Sequence, residues 1–469
     1  MKRMMTWLSL VAVLAVLIGA LPTAVSAAPL EEAVSYDLSD EEVAANLKLI
    51  GRTEVTEKGI VPHTTASGIA FYSDCSGDIT LEVFGSKNLF DAQYFIVYVD
   101  GEIYNRVELN HRVKNRTVTD TLTLAEDLEP GMHRIEIYRE TEEVNAYCEW
   151  KELTLNGTLL PVPEAPMLIE FVGDSITTGY GAYPFSYADQ GDPVDHPSRQ
   201  AGTKSYAFLT ARALGMDITV TCTSGYGAEV GWNTDGVNMQ DMYDKTAFHH
   251  DREAAWGFER PADIVVINLG TNDNSVRKSR FTKESTILEG MENLIKMVRE
   301  KNPDAKIVWA TGMMGITFKP GLTEIVEKLG GAEEGYFFCV LPKGTSGGAG
   351  HPNEEEHQAA ADELIAFLKE NVLEEGYLDG YATPEEMEAL MEKASLSEEE
   401  RGIGEAEIAA AKADGVEVSG TLQATYELYS EKKSEFPWMI VGIGGGAVVV
   451  VGVLLFAILY KPKKKGSEE

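Results

Sequence analysis

Met167-Leu168-Ile169-Glu170-Phe171-Val172-Gly173-Asp174-Ser175-Ile176-Thr177 decides the reading of this chain. A largely apolar run ends at a glycine, and the polar residues after it lift a serine from a buried strand toward solvent, where a nucleophile is needed. Three distant segments accompany it: Thr223-Ser224-Gly225-Tyr226-Gly227, Gly270-Thr271-Asn272-Asp273 and Gly350-His351-Pro352-Asn353.

Around these segments strands alternate with helices. Strands are expected at Met167 to Val172, Ile218 to Cys222, Ala262 to Leu269, Lys306 to Thr311 and Tyr336 to Leu341. Helices are expected at Tyr206 to Leu214, Lys283 to Arg299, Leu322 to Leu329 and Asn353 to Leu373. The last has Ala361, Leu364, Ile365 and Leu368 on one face. Such alternation predicts a parallel sheet covered on both sides by helices, an α/β three-layer domain over residues 164–378. Open sheets of this kind carry their sites at the carboxyl ends of the strands, and Ser175, Gly225 and Asn272 each follow a predicted strand.

Residues 45–163 read differently. Ile79 to Phe84, Tyr94 to Val99, Thr117 to Leu124, His133 to Tyr138 and Glu149 to Leu155 are short alternating runs with Asp100-Gly101 and Asn156-Gly157 turns, predicting an all-β antiparallel sandwich.

The ends carry an address. Lys2 and Arg3, an apolar core from Trp7 to Leu21 and small residues at Val25-Ser26-Ala27 have the layout of a signal peptide over 1–27. Residues 438–460 are uncharged and apolar, long enough to cross a ~30 Å hydrocarbon core as a single transmembrane helix. Lys461, Lys463, Lys464 and Lys465 follow, so the 461–469 tail is expected in the cytoplasm and everything before the span outside. Gly442 and Gly446 have the spacing of a weak helix-dimerisation face. Between them and the α/β region, 379–437 is acidic and reads as a spacer. A net charge of -35 argues against nucleic-acid binding, which needs cations to neutralise phosphates. Cys75, Cys148, Cys222 and Cys339 allow three complete pairings; a Cys75–Cys148 staple and buried free thiols are both open.

Acyl transfer needs a nucleophile, a base and donors aimed at the oxygen that becomes negative. The candidates are Ser175 as nucleophile, His351 as base, and the Ser175 and Gly225 amides with the Asn272 side chain as oxyanion donors. Trp232 and Tyr226 are candidate stacking surfaces for a sugar ring. His196, between an aspartate and a proline, is the competing histidine. Asn353 followed by Glu356 fits a capping box at the last helix.

At Ser175, Gly225, Asn272 and His351 the chain resembles the SGNH (GDSL-like) hydrolases, over about Met167 to Tyr377. With a β domain in front it is most similar to the second family of carbohydrate esterases, in which a jelly-roll domain precedes the hydrolase domain. The resemblance implies removal of O-acetyl groups from polysaccharide, with no metal or organic cofactor. The superfamily's usual aspartate, three residues before the histidine, is Gly348 here. Similarity to members that work with a Ser-His dyad implies a backbone carbonyl, from the glycine-rich Gly344 to Gly350 loop, as the group that orients His351. A lipase or thioesterase on the same fold, and a non-catalytic glycan-binding surface protein, are the alternatives.

Overall fold

In the computed structural model, which describes residues 33–87, 92–110, 117–144, 146–183 and 197–377, Leu168–Gly173 is buried along its whole length. A strand covered on both faces can be apolar on both, which is why this run lacks alternation. It pairs in parallel with Asp217–Cys222 on one side and Ile264–Asn268 on the other. Lys306–Met313 and Tyr336–Lys343 extend the sheet beyond Ile264–Asn268, all parallel. The first strand in sequence therefore has the second on one side and the third on the other. At that switch the connections leave on opposite faces and open a crevice at the carboxyl ends.

Helices cover both faces. Glu284–Lys301 buries Ile287, Met291, Leu294, Ile295 and Val298, a helical stripe, in one core with Val172, Val265, Ile267, Ile307 and Trp309. Each such side chain taken out of water contributes about 1.5–3 kcal/mol. Tyr206–Ala213 and Glu354–Asn371 pack together on the opposite face, where Phe171 meets the Tyr206 ring edge-on at 5.7 Å. Asn353 and Glu356 form the expected capping box.

The preceding β domain is antiparallel and starts earlier than expected, because Val34–Asp37 pairs with Ala146–Asn156. Two strands dominate it, Gly68–Lys87 and Thr117–Arg139. The latter joins the two runs expected as separate strands. Register shifts between Cys75 and Thr80 interrupt the side-chain alternation without breaking the ladder, which hides such length from the sequence.

All four cysteines are free and buried, so no Cys75–Cys148 staple exists. Cys148 lies opposite Gly85 on Gly68–Lys87, ten positions beyond Cys75. That is about 30 Å along an extended strand, against the ~7 Å limit for bridging Cα atoms.

The signal sequence at 1–27, the acidic spacer, the apolar 438–460 span with Gly442 and Gly446, and the 461–469 tail all lie outside the described residues. Among the described residues no helix is long and apolar enough to cross a membrane.

Candidate active site

Gly173 ends the central strand, and Asp174 turns the chain. Its Oδ1 accepts the Ile176 N–H at 3.0 Å, and its carbonyl accepts those of Thr177 and Thr178 at 3.0 and 3.1 Å. Thr178 Oγ1 donates back to the Ser175 carbonyl at 2.8 Å. The turn holds Ser175 Oγ 2.8 Å from His351 Nε2, a hydrogen bond between residues far apart in sequence. Ser175 is only 7% exposed, so it is not raised into solvent as its sequence context suggests.

His351 sits at the end of a loop tied down on both sides. Glu356 accepts the amides of Thr345 and Ser346 at 3.1 and 2.9 Å and the Ser346 hydroxyl at 2.8 Å while serving its own capping box. Gly347 N–H donates to the His351 carbonyl at 2.7 Å, and Gly348 N–H to that of Gly181 at 3.2 Å. The Tyr180 ring lies against the imidazole, centroids 4.6 Å apart. Burial lowers the His351 pKa from its usual 6.5, opposed by the Ala349 and Gly348 carbonyls, which favour the charged ring. Neither carbonyl closes a well-aligned bond: Nδ1 is buried without a hydrogen-bond partner among the described residues, and no carboxylate bonds it there. A Cβ at position 348 would meet one tight neighbour and one ordinary one, Gly181 Cα at 3.3 Å and Arg199 Cδ at 3.5 Å.

Gly225 takes φ +87°, a conformation that costs glycine little. Its carbonyl accepts the Trp232 N–H at 2.8 Å. The amide hydrogens of Ser175 and Gly225 have no acceptor among the described residues. The Asn272 side chain, the third expected donor, already has acceptors. Its Nδ2 donates to Asp174 Oδ2 at 3.0 Å and to the Tyr226 carbonyl at 2.8 Å, committing both hydrogens to bracing the nucleophile turn against the Gly225 loop. The Tyr226 side chain is largely buried and lies edge-on to His249 at 5.6 Å. Trp232 is 62% exposed beside the Gly225 loop. His196 lies outside the described residues.

Residues 171–376 match the profile of the GDSL-like lipase/acylhydrolase family. This domain resembles that family. The cellulase/esterase CelE of Acetivibrio thermocellus is 30% identical over 301 residues, 61% of this chain and 34% of CelE. An acetylxylan esterase/glucomannan deacetylase of Cellvibrio japonicus is 28% identical over 251 residues, 51% of this chain and 67% of that protein. The chain thus spans about a third of the length of CelE. Among solved structures, a family two carbohydrate esterase from Clostridium thermocellum in complex with cellohexaose superposes with TM-score 0.59 and 25% identity, over 71% of this chain and 99% of that one. The acetyl xylan esterase Est2A of the rumen bacterium Butyrivibrio proteoclasticus shares the fold, with TM-score 0.63 at 22% identity over 74% of this chain and 99% of that one. Both superpositions cover more of the chain than the family match does and so extend into the β domain.

Around the GDSL-like centre lie residues that the sequence reading passed over. Asp273 accepts the amides of Ala228, Glu229 and Val230 at 3.0, 2.9 and 2.9 Å, fixing the segment that leaves the Gly225 loop. Asp174 is pushed up to about 7, first by burial and further by the negative charges of Asp273 and Glu142, against the pull of the Ile176 amide. His249 reads as part of a polar stretch away from any strand. It lies instead in the turn of a hairpin, Lys245–Ala247 with Asp251–Ala255, its Nε2 3.2 Å from Thr223 Oγ1. Nothing local in the sequence signals this contact.

Proposed function

We propose that the protein is a cell-surface carbohydrate O-acetyl esterase working through a Ser175-His351 dyad. The observation that carries the reading is the 2.8 Å bond from Ser175 Oγ to His351 Nε2 beside two amides with no acceptor among the described residues. Ser175 Oγ attacks the acetyl carbonyl carbon as its proton passes to His351 Nε2. The carbonyl oxygen becomes negative and takes hydrogen bonds from the Ser175 and Gly225 amides. Asn272 is the third donor by sharing a hydrogen with its present acceptors. The intermediate collapses as His351 returns the proton to the departing sugar oxygen, leaving an acetyl ester on Ser175. Water, deprotonated by the same imidazole, then releases acetate. The neighbouring carbonyls of Gly348 and Ala349 take over, in part, the charge-stabilising work an aspartate does in a triad. Trp232 supplies the face on which a pyranose stacks.

The names borne by the similar proteins support a polysaccharide substrate, and a jelly-roll reading of the β domain accords with the reach of the superpositions. Display outside the membrane, anchored by the 438–460 span, is part of the proposal.

Acetate release from acetylated xylan, acetylated mannan and p-nitrophenyl acetate tests it, with Ser175→Ala as control and a long-chain nitrophenyl ester as competitor. The proposal expects activity on acetyl substrates that Ser175→Ala abolishes. Preference for the long acyl chain, or full activity in Ser175→Ala, contradicts it.

A further inference from the structure

Beyond Thr117–Arg139 the β domain sends Glu140, Thr141, Glu142 and Glu143 into the hydrolase domain, and all four are buried. Four buried residues, three of them acidic, are costly unless each finds donors. Each glutamate does, at a different place. Glu140 accepts the Thr203 amide at 3.1 Å and its hydroxyl at 2.5 Å. Glu143 accepts the His249 and His250 amides at 2.9 and 3.3 Å. Glu142, 2% exposed, reaches the Gly225 loop itself. Its Oε2 accepts the Ser224 amide at 2.6 Å and its Oε1 the Ser224 hydroxyl at 2.6 Å. Oε1 also accepts from Gln200 Nε2, whose Oε1 in turn accepts the Glu142 amide at 2.9 Å. Gln200 bridges to Tyr180, whose ring lies tilted against His351.

We infer that Glu142 is a positioning residue for catalysis, a β-domain carboxylate that fixes the orientation of the Gly225 amide through Ser224 and ties that loop to the turn supporting His351. The inference rests on the dyad reading above. Its physical basis is that the Ser224–Gly225 segment is held at both ends. Ser224 is fixed by two charge-assisted bonds to Glu142, and the Gly225 carbonyl by Trp232 N–H. With both ends held, the unclaimed Gly225 N–H keeps one direction before substrate arrives, which is what makes an oxyanion donor effective. The β domain is then part of the catalytic apparatus and not only a neighbour of it.

A glutamine at 142 keeps the shape but replaces one acceptor oxygen by an NH2 group, which must face the Ser224 or the Gln200 donors. In the full chain, Glu142→Gln is therefore expected to lower kcat on p-nitrophenyl acetate by roughly 10²-fold, the scale of losing one oxyanion donor, with KM changed by less than about threefold. Methylboronic acid, whose tetrahedral adduct on Ser175 places a hydroxyl in the oxyanion position, should lose affinity in parallel. A merely structural role would not move kcat and boronate affinity together at constant KM. A folded Glu142→Gln enzyme with kcat within about threefold of the parent, or with reduced kcat and unaltered boronate affinity, overturns the inference. Should circular dichroism show that variant unfolded, Ser224→Ala removes only the hydroxyl bond. About a tenfold loss of kcat with a matching loss of boronate affinity is expected there, and unchanged values overturn the inference. Ser175→Ala run alongside separates the two levels: if it retains activity the dyad reading fails, whereas its inactivity beside a neutral Glu142→Gln refutes the positioning role alone.

Discussion

Gly181→Ala should disable the proposed dyad from outside it. Gly181 has φ +84°, and a Cβ there would lie 2.8 Å from the Gly348 carbonyl oxygen, 2.9 Å from His351 Cβ and 3.0 Å from Gly348 N. Comfortable contacts begin near 3.5 Å, so the His351 loop must retreat by about 0.6 Å or more. Added to the 2.8 Å bond between Ser175 Oγ and His351 Nε2, that shift stretches it to about 3.4 Å, beyond the usual hydrogen-bond range. A misplacement approaching 1 Å costs on the order of 10²-fold in rate, and kcat on p-nitrophenyl acetate should fall by about that factor. The left-handed backbone adds about 1–2 kcal/mol of strain for alanine. The melting temperature should therefore drop by several degrees while the protein stays folded at 25 °C. Steady-state kinetics with a thermal melt separates the two effects. A folded Gly181→Ala enzyme with undiminished kcat would refute the claim that this contact sets the His351 position.

Three further outcomes follow from the same geometry. His351 must be neutral to accept a proton, and burial lowers its pKa, so activity is lost only as pH falls through a value below 6.5. A pH–rate profile for kcat/KM whose acid limb is centred near 7 would point to Asp174, which burial pushes up to about 7, and contradict the His351 assignment. Trp232→Ala should raise KM on acetylated polysaccharide and leave p-nitrophenyl acetate kinetics nearly unchanged; equal KM values on the polysaccharide would remove Trp232 from the binding surface. Thiol titration of the denatured, unreduced chain should read four free thiols, and a reading of two or zero would contradict the structure.

The hydrolase fold was legible because its signals are local. An apolar run closed by Gly173, the stripe on Glu284–Lys301 and the Asn353–Glu356 cap each declare themselves within a few residues. Ser175, Gly225, Asn272 and His351 converge because strand ends in a parallel sheet converge. What stayed hidden depends on distant partners. Nothing local to Glu140 to Glu143 announces their burial, which distant partners, Thr203, Gln200, Ser224 and His249 among them, make tolerable. The hydrogen bonding of Asn272 and the packing of Tyr226 reflect competition among neighbours that spacing does not encode. Gly348 stands where the resemblance leads one to expect an acid, and a Cβ there would be tight only against Gly181 Cα, at 3.3 Å.

The most direct test of the dyad is covalent. A fluorophosphonate reacted with the full chain, followed by peptide mass mapping and a rate measurement, should label Ser175 alone. Labelling should vanish in Ser175→Ala and slow by orders of magnitude in His351→Ala. Modification at another residue, or an undiminished rate in His351→Ala, would contradict the account.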